Sequence, residues 1–144
     1  MTDKKANRRE ALAGLTALAS LTATKATAQS HTATPRPSAA FDLADIAAKN
    51  AATDGPWFEF FDNNTMFAGL YELPAQGSDQ QRPHQQDELY FVTKGQAQLI
   101  AGDETYAATP GAILFVKAGI THRFVDIEED LQLLVFFSKA DPKG

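Results

Sequence analysis

The stretch RPHQQDELYFVTKG, Arg82 to Gly95, sets a histidine, His84, four residues ahead of a glutamate, Glu88. An imidazole nitrogen and a carboxylate oxygen can each ligate a transition metal or hold a proton. On a regular strand Arg82, His84, Gln86, Glu88, Tyr90 and Val92 would share one face, and Gln85, Asp87 and Leu89 the other. Tyr90 and Val92 mark the first face as the interior one, where a histidine and a glutamate are costly unless each is paired or ligates something. A wet strand end, with both side chains bonded to water, is the alternative reading, and this segment alone does not choose between them.

A second stretch, PGAILFVKAGITHRFVD from Pro110 to Asp126, carries His122 just after a glycine-containing turn. His31 is the third histidine of the chain and lies in a polar N-terminal stretch away from both. Two histidines and one carboxylate on facing strands can form a three-ligand site with open coordination positions. Such a site suits one divalent transition ion, Fe, Mn, Ni, Cu or Zn, since affinity alone does not select among them. The chain has no cysteine, so thiolate ligation, disulfides and a cysteine nucleophile are all excluded.

The elements that must position these residues are short strands. The runs 65–73, 88–93, 96–101, 104–108, 112–116, 122–127 and 131–138 are rich in β-branched or aromatic residues. Turn signals separate them: Gly77-Ser78-Asp79, Lys94-Gly95, Gly102-Asp103, Pro110-Gly111, Gly119 and Glu128-Glu129-Asp130. Seven strands at this spacing, with no long helical pattern between them, predict an all-β sandwich or barrel. Ahead of them, Phe41, Leu43, Ile46 and Ala47 share one side of a helical turn or two. WFEFF, residues 57–61, is expected as core or as a lid at a barrel mouth, and its aromatics could equally line a homodimer interface. The acidic run from Asp126 to Asp130 is read as a solvated turn, because it lacks the alternating ligand spacing of a calcium loop.

The N-terminus has a different character. Residues 1–28 run from a basic start through a mildly apolar middle (Ala11 to Ala23) to Ala26-Thr27-Ala28, the three-part layout of a secretory signal cleaved after Ala28. Arg8-Arg9 followed by Leu12 resembles a bacterial twin-arginine signal, which implies export of a folded chain to the periplasm or beyond. Residues 29–40 form a polar, proline-containing tether, and 41–144 the folded domain. The whole chain carries a formal charge of −5. Removing residues 1–28 takes away five basic and two acidic residues, which leaves 8 basic, 16 acidic and a charge of −8. So acidic a surface argues against nucleic acid or an anionic membrane as partner. No apolar run of 18 residues or more could span a bilayer, and no lipobox cysteine offers a stable membrane anchor.

The two histidine stretches resemble the paired motifs of the cupin superfamily, in particular its small single-domain members. In the first family motif two histidines separated by one residue precede a glutamate, with a glycine seven positions beyond it. Glu88 and Gly95 have that spacing and His84 stands at the second histidine, while Arg82 stands at the first. A subgroup with one histidine here has an acidic residue where Gln86 stands. Gly111, Gly119 and His122 match the second motif, with Lys117 at its proline and Asp126 at its asparagine. The 15 residues between Gly95 and Gly111 equal the spacing of compact microbial cupins.

The resemblance spans about residues 65–138 and implies a single cupin-type β-barrel, a double-stranded β-helix, with a mononuclear metal on His84, Glu88 and His122. Arg82, Gln86 and Tyr90 would then shape the substrate pocket. The implied function is metal-dependent chemistry on a small organic molecule, by an oxidoreductase of dioxygenase type, an isomerase or a lyase. The alternative is a periplasmic barrel that binds a small ligand without turning it over. No glycine-rich phosphate loop or nucleophile elbow is present to support another class of chemistry.

Overall fold

The structure, a computed structural model, describes residues 38–139; the proposed signal and most of the tether lie outside the described residues. The chain enters through one short helix, α1 (Leu43–Asn50). Asp42 caps it by accepting from the backbone N–H groups of Ala44 and Asp45, two of the donors a helix start leaves without partners. Ile46 and Asn50, one turn apart, are its buried residues, and Asn50 Nδ2 donates to Glu72 Oε2 at 2.6 Å.

Six strands follow among the described residues: β1 (Trp57–Asp62), β2 (Met66–Leu73), β3 (Glu88–Ala101), β4 (Glu104–Ala108), β5 (Ile113–Val116) and β6 (His122–Ser138). All pairings are antiparallel, in the order β1-β2-β6-β3-β4, with β5 also paired to β3. The ladder between β3 and β6 runs from Glu88↔Phe137 at one end to Ala101↔His122 at the other. Near Glu88, β2 flanks β6 and β5 flanks β3; near His122, β4 flanks β3.

Between these halves the ladder register shifts three times, between Val92 and Gln98, and here the sheet folds over on itself. Irregularities of this kind raise local twist and bend the strand. Gly95 has φ 87° and Asp126 φ 50°, a region open to glycine and tolerated by Asp. The two halves become two layers around one core, with Tyr90, Val92, Leu99, Phe124, Leu131, Leu133 and Val135 all buried.

The expected all-β barrel is therefore observed, with three differences. The runs 88–93 and 96–101 are one bent strand, and so are 122–127 and 131–138, because a register shift bends a ladder without ending it. Asp126, Glu128, Glu129 and Asp130 thus lie within β6, exposed as expected but not in a separate turn, while Ile127 between them is buried in the core. Residues 57–61 form most of an edge strand, with Trp57 opposite Tyr71. Finally, β3 starts at Glu88, so residues 82–87 do not follow the strand alternation expected of them.

Gly95 tests the bend directly. A Cβ there would lie 2.4 Å from the Asp130 carbonyl oxygen and 2.7 Å from Leu131 Cα, both backbone atoms. Gly95→Ala is expected to cost about 3 kcal/mol or more in urea denaturation. At Gly102, also at positive φ, the nearest atom is 3.8 Å away. Gly102→Ala should cost only about 1 kcal/mol; equal costs would show that the close approach at Gly95 is not structurally required.

Candidate metal centre

Glu88 and His122 are the first residues of β3 and β6, and both are buried. His84 lies on the irregular segment before β3 and is half-buried. The second stretch pins that segment in place: Gly119 N–H donates to the His84 carbonyl at 2.8 Å, and Ala118 N–H to Asp87 Oδ1 at 2.8 Å. Ser138 N–H, at the end of β6, donates to the Asp87 carbonyl. The His84 ring meets Phe137 edge to face at 5.1 Å between centroids.

These three side chains converge. His122 Nε2 lies 3.2 Å from Glu88 Oε1 and His84 Nε2 3.8 Å from the same oxygen. One ligand atom from each falls within 4.8 Å of the others, and this is the one such His/Glu/Asp group among the described residues. Donors bound to one ion at about 2.1 Å stand at most about 4.2 Å apart, and both measured pairs lie inside that limit. His122 Nδ1 is 2.8 Å from the Ile120 carbonyl oxygen, so Nδ1 carries a proton and Nε2 is the nitrogen presented to Glu88. A backbone carbonyl of this kind commonly fixes the tautomer of a metal-ligating histidine. The donor set therefore fits a divalent transition ion: two imidazole nitrogens and one buried carboxylate, with one imidazole already oriented.

Tyr90 stands two residues beyond Glu88 on the same face. Its hydroxyl donates to Glu88 Oε2 at 2.5 Å, lies 3.1 Å from His122 Nε2, and has a second acceptor, Gln81 Oε1, at 3.1 Å. One phenolic proton thus faces two acceptors, and the charged one at the shorter distance holds it. Burial, then the charge and hydrogen bond of Glu88, push this phenol far above its ordinary value, so Tyr90 stays a neutral donor.

Gln81 is oriented in turn by Asp79, whose Oδ2 accepts from Gln81 Nε2 at 2.6 Å. Asp79 also accepts from Tyr71 Oη at 2.7 Å, from Gln81 N–H at 3.0 Å and from Phe124 N–H at 2.8 Å. Burial, then the Asp79 hydrogen bond and charge, raise Tyr71 well above its ordinary value too. Sequence reasoning passed over both Asp79 and Gln81, which fall in a stretch legible only as a turn.

A cavity of about 240 Å³ adjoins the group, lined by Trp57, Phe67, Tyr71, Gln81, His84, Tyr90, Val135 and Phe137. Its wall comes from four strands and the segment before β3. Phe67 stacks on Phe137 at 4.5 Å, and Trp57 meets Phe137 edge to face at 5.8 Å. A Cβ on Gly69 would fall 2.1 Å from the Trp57 ring, so only glycine there admits the indole. The alternation Phe67, Gly69, Tyr71 was a legible signal for this wall, large residues around a small one on one face. Tyr90 is in the cavity as expected, whereas Arg82 is solvent-exposed and Gln86 half-buried, and neither is among the residues lining it.

The sequence profile of the cupin domain matches residues 69–137. An uncharacterized protein of Streptomyces coelicolor is 44% identical over 102 residues, 71% of this chain and 97% of the relative. The chain carries a single cupin domain. Among solved structures, a Thermus thermophilus protein shares 24% identity, with 69% of this cupin and 95% of that chain covered and a TM-score of 0.55. The DMSP lyase DddQ of Ruegeria pomeroyi shares 19% identity, with 62% and 49% covered and a TM-score of 0.53. KdgF from a Halomonas species shares 16%, with 60% and 80% covered and a TM-score of 0.53. These structural likenesses establish the shared fold.

The His122–Glu88 contact has a pH signature in the metal-free protein. Burial works to lower the His122 pKa, but the Glu88 hydrogen bond, the Ile120 carbonyl and the Glu88 and Asp79 charges outweigh it, and the net shift is upward from 6.5. The folded state then keeps a proton that the unfolded state releases. This stabilisation is complete below about pH 6.5 and is lost as pH rises through the folded pKa. In chelator-treated protein the urea midpoint should fall across that window, and His122→Gln should abolish the fall. An equal fall in the variant would assign the titration to another group.

Proposed function

We propose that this cupin is a metal-dependent enzyme acting on a small, largely apolar organic molecule. The observation that carries the reading is the double position of His84, which belongs both to the donor group and to the cavity wall. A molecule in the cavity therefore lies beside the place where an ion held by His84, Glu88 and His122 would sit. Three protein donors leave coordination positions open, the arrangement of catalytic rather than purely structural sites. A bound divalent ion would supply Lewis acidity or, for a redox-active metal, one-electron chemistry.

The chain's own groups have separable tasks in this reading. Glu88 brings the negative charge, and His122, held by Ile120, brings a fixed nitrogen. Tyr90 keeps a proton at its hydroxyl and can turn it from Glu88 to Gln81, which leaves a carboxylate oxygen free. Trp57, Phe67, Tyr71 and Phe137 exclude water and orient a flat or branched apolar body. An apolar cavity of about 150 Å³ accommodates benzene, so about 240 Å³ suits a substituted single ring or a short branched chain. Gln81 and the two phenols are the polar groups that would select an oxygen-bearing substituent. Arg82, at the place of the family's first histidine, keeps its charge in solvent and leaves the centre to the other three. The N-terminal pattern supports export to the bacterial periplasm, by the twin-arginine route, as the setting for this chemistry.

The metal assignment is tested on native protein by elemental analysis. Near-stoichiometric Fe, Mn, Ni, Cu or Zn is expected, with a loss of tenfold or more in occupancy in both His122→Ala and Glu88→Gln. Occupancy unchanged in both variants would remove the site. The cavity has its own reporter, since Trp57 is the one tryptophan of the chain. A ligand entering it should change the intrinsic fluorescence, and a panel of small aromatic and branched carboxylic acids and phenols can be screened this way. Turnover of a hit by metal-loaded protein, lost on chelation, supports an enzyme. Equal binding to metal-free protein without product supports the alternative, a small-molecule-binding cupin.

A further inference from the structure

Asp79 belongs to no strand and is half-buried, yet its carboxylate ties three parts of the chain together. Oδ1 accepts from Tyr71 Oη of β2 at 2.7 Å and from the Gln81 N–H at 3.0 Å. Oδ2 accepts from Gln81 Nε2 at 2.6 Å and from the Phe124 N–H of β6 at 2.8 Å. A carboxylate has about four lone-pair sites, so this one is filled. None of the four bonds goes to His84, Glu88 or His122, so Asp79 stands outside the candidate metal centre.

These bonds decide what the cavity wall has left to offer. Tyr71 gives its one proton to Asp79, so its oxygen has only lone pairs for anything else. A carboxylate cannot donate, so the Gln81 atom facing it is the amide nitrogen, and the carbonyl oxygen is the one beside Tyr90. The Tyr90 proton lies with Glu88 or, when turned, with Gln81, and is spoken for in both positions. Tyr71, Gln81 and Tyr90 therefore meet a ligand chiefly as acceptors, with the second Gln81 amide hydrogen the one donor left among them. No lysine or arginine lines the cavity, and two carboxylates, Asp79 and Glu88, stand one hydrogen bond behind its wall.

We propose that Asp79 is a positioning residue that makes the polar end of the cavity an acceptor, and that the ligand is a neutral hydroxyl compound, a phenol or an alcohol. The proposal rests on the cavity of the reading above and is independent of an ion at His84, Glu88 and His122. A ligand hydroxyl donates to Tyr71 Oη or Gln81 Oε1 and satisfies both partners. An ether or carbonyl oxygen at the same place faces lone pairs and exchanges its bonds to water for none, which a half-enclosed apolar site penalises. A carboxylate meets the charges of Asp79 and Glu88 as well. Selection by a hydroxyl is sharper than selection by one methylene, because the wrong ligand leaves the polar groups of the site unpaired.

Titration calorimetry of the chelator-treated full chain with phenol and with its methyl ether, anisole, tests this, and circular dichroism checks folding. The wild type should bind phenol about tenfold more tightly, the worth of one hydrogen bond, although anisole has the additional methyl group to bury. In Asp79→Asn the preference should shrink to about threefold or less. An amide at 79 has a single acceptor oxygen, so the Tyr71 proton and the Gln81 amide become free to meet an ether oxygen. Tyr71→Phe, which leaves the other three bonds of Asp79 in place, should weaken phenol and leave anisole unchanged, and it decides the matter if Asp79→Asn does not fold. A merely structural role for Asp79 would weaken both probes alike, and a ratio unchanged in every folded variant overturns the proposal. Equal binding of the two probes by the wild type, or binding of neither, overturns it too. Because the protein in this assay holds no ion, each of these outcomes leaves the metal assignment to its own elemental analysis.

Discussion

Glu88 and His122 stand at opposite ends of the longest ladder in the molecule, yet their side chains meet at 3.2 Å. Along a straight strand the 13 steps from residue 88 to residue 101 would span about 43 Å. Only the fold-over near Gly95 and Asp126 brings the ends of β3 and β6 together, and everything else in the site depends on it. The same bend makes two layers of one sheet, encloses the core and lets the turn before His122 reach back to hold the His84 segment. A centre assembled this way is as rigid as the ladder itself, since Glu88 and His122 are both strand residues.

The chemistry of the centre follows from having one buried carboxylate among several partners. Glu88 faces two imidazole nitrogens through one oxygen and a phenol through the other. Without a cation, the close approach of His122 Nε2 needs a proton between the two groups, which is why this histidine is driven toward its charged form. An ion would take the same place electrostatically, so a proton and a metal would compete for one position. Behind this, Asp79 fixes Gln81, Gln81 offers Tyr90 a second acceptor, and Tyr71 ties the cavity wall to the same carboxylate. That chain links the apolar pocket to the His84, Glu88 and His122 group through hydrogen bonds of 2.5–3.1 Å.

A strand period of two divides each element between two tasks. Phe67, Tyr71 and Tyr90 face the cavity, while Leu70, Leu89 and Phe91 form the outer face. The inner face is closed by the second layer of the barrel. The outer face is closed by α1 at one end and lies open at the other.

Much of this was legible in the sequence. Alternating runs and turn residues marked five of the six strands, at least in part, and the separations between His84, Glu88, Gly95, Gly111 and His122 marked the three side chains that converge. These are local quantities, set by side-chain periodicity and by the backbone freedom of glycine. β1 was missed as a strand because WFEFF shows no clean alternation and gains its partner only from β2. Tertiary structure alone decided that the strand begins at Glu88, which releases Arg82 and Gln86 from the face expected for them. It alone brought in Asp79, Gln81 and Trp57. Strand periodicity says which way a side chain points but carries no information about what it will meet. The meeting of Glu88 with His122 was fixed by pairing register and by the bend in the ladder, which involve residues up to 49 positions apart.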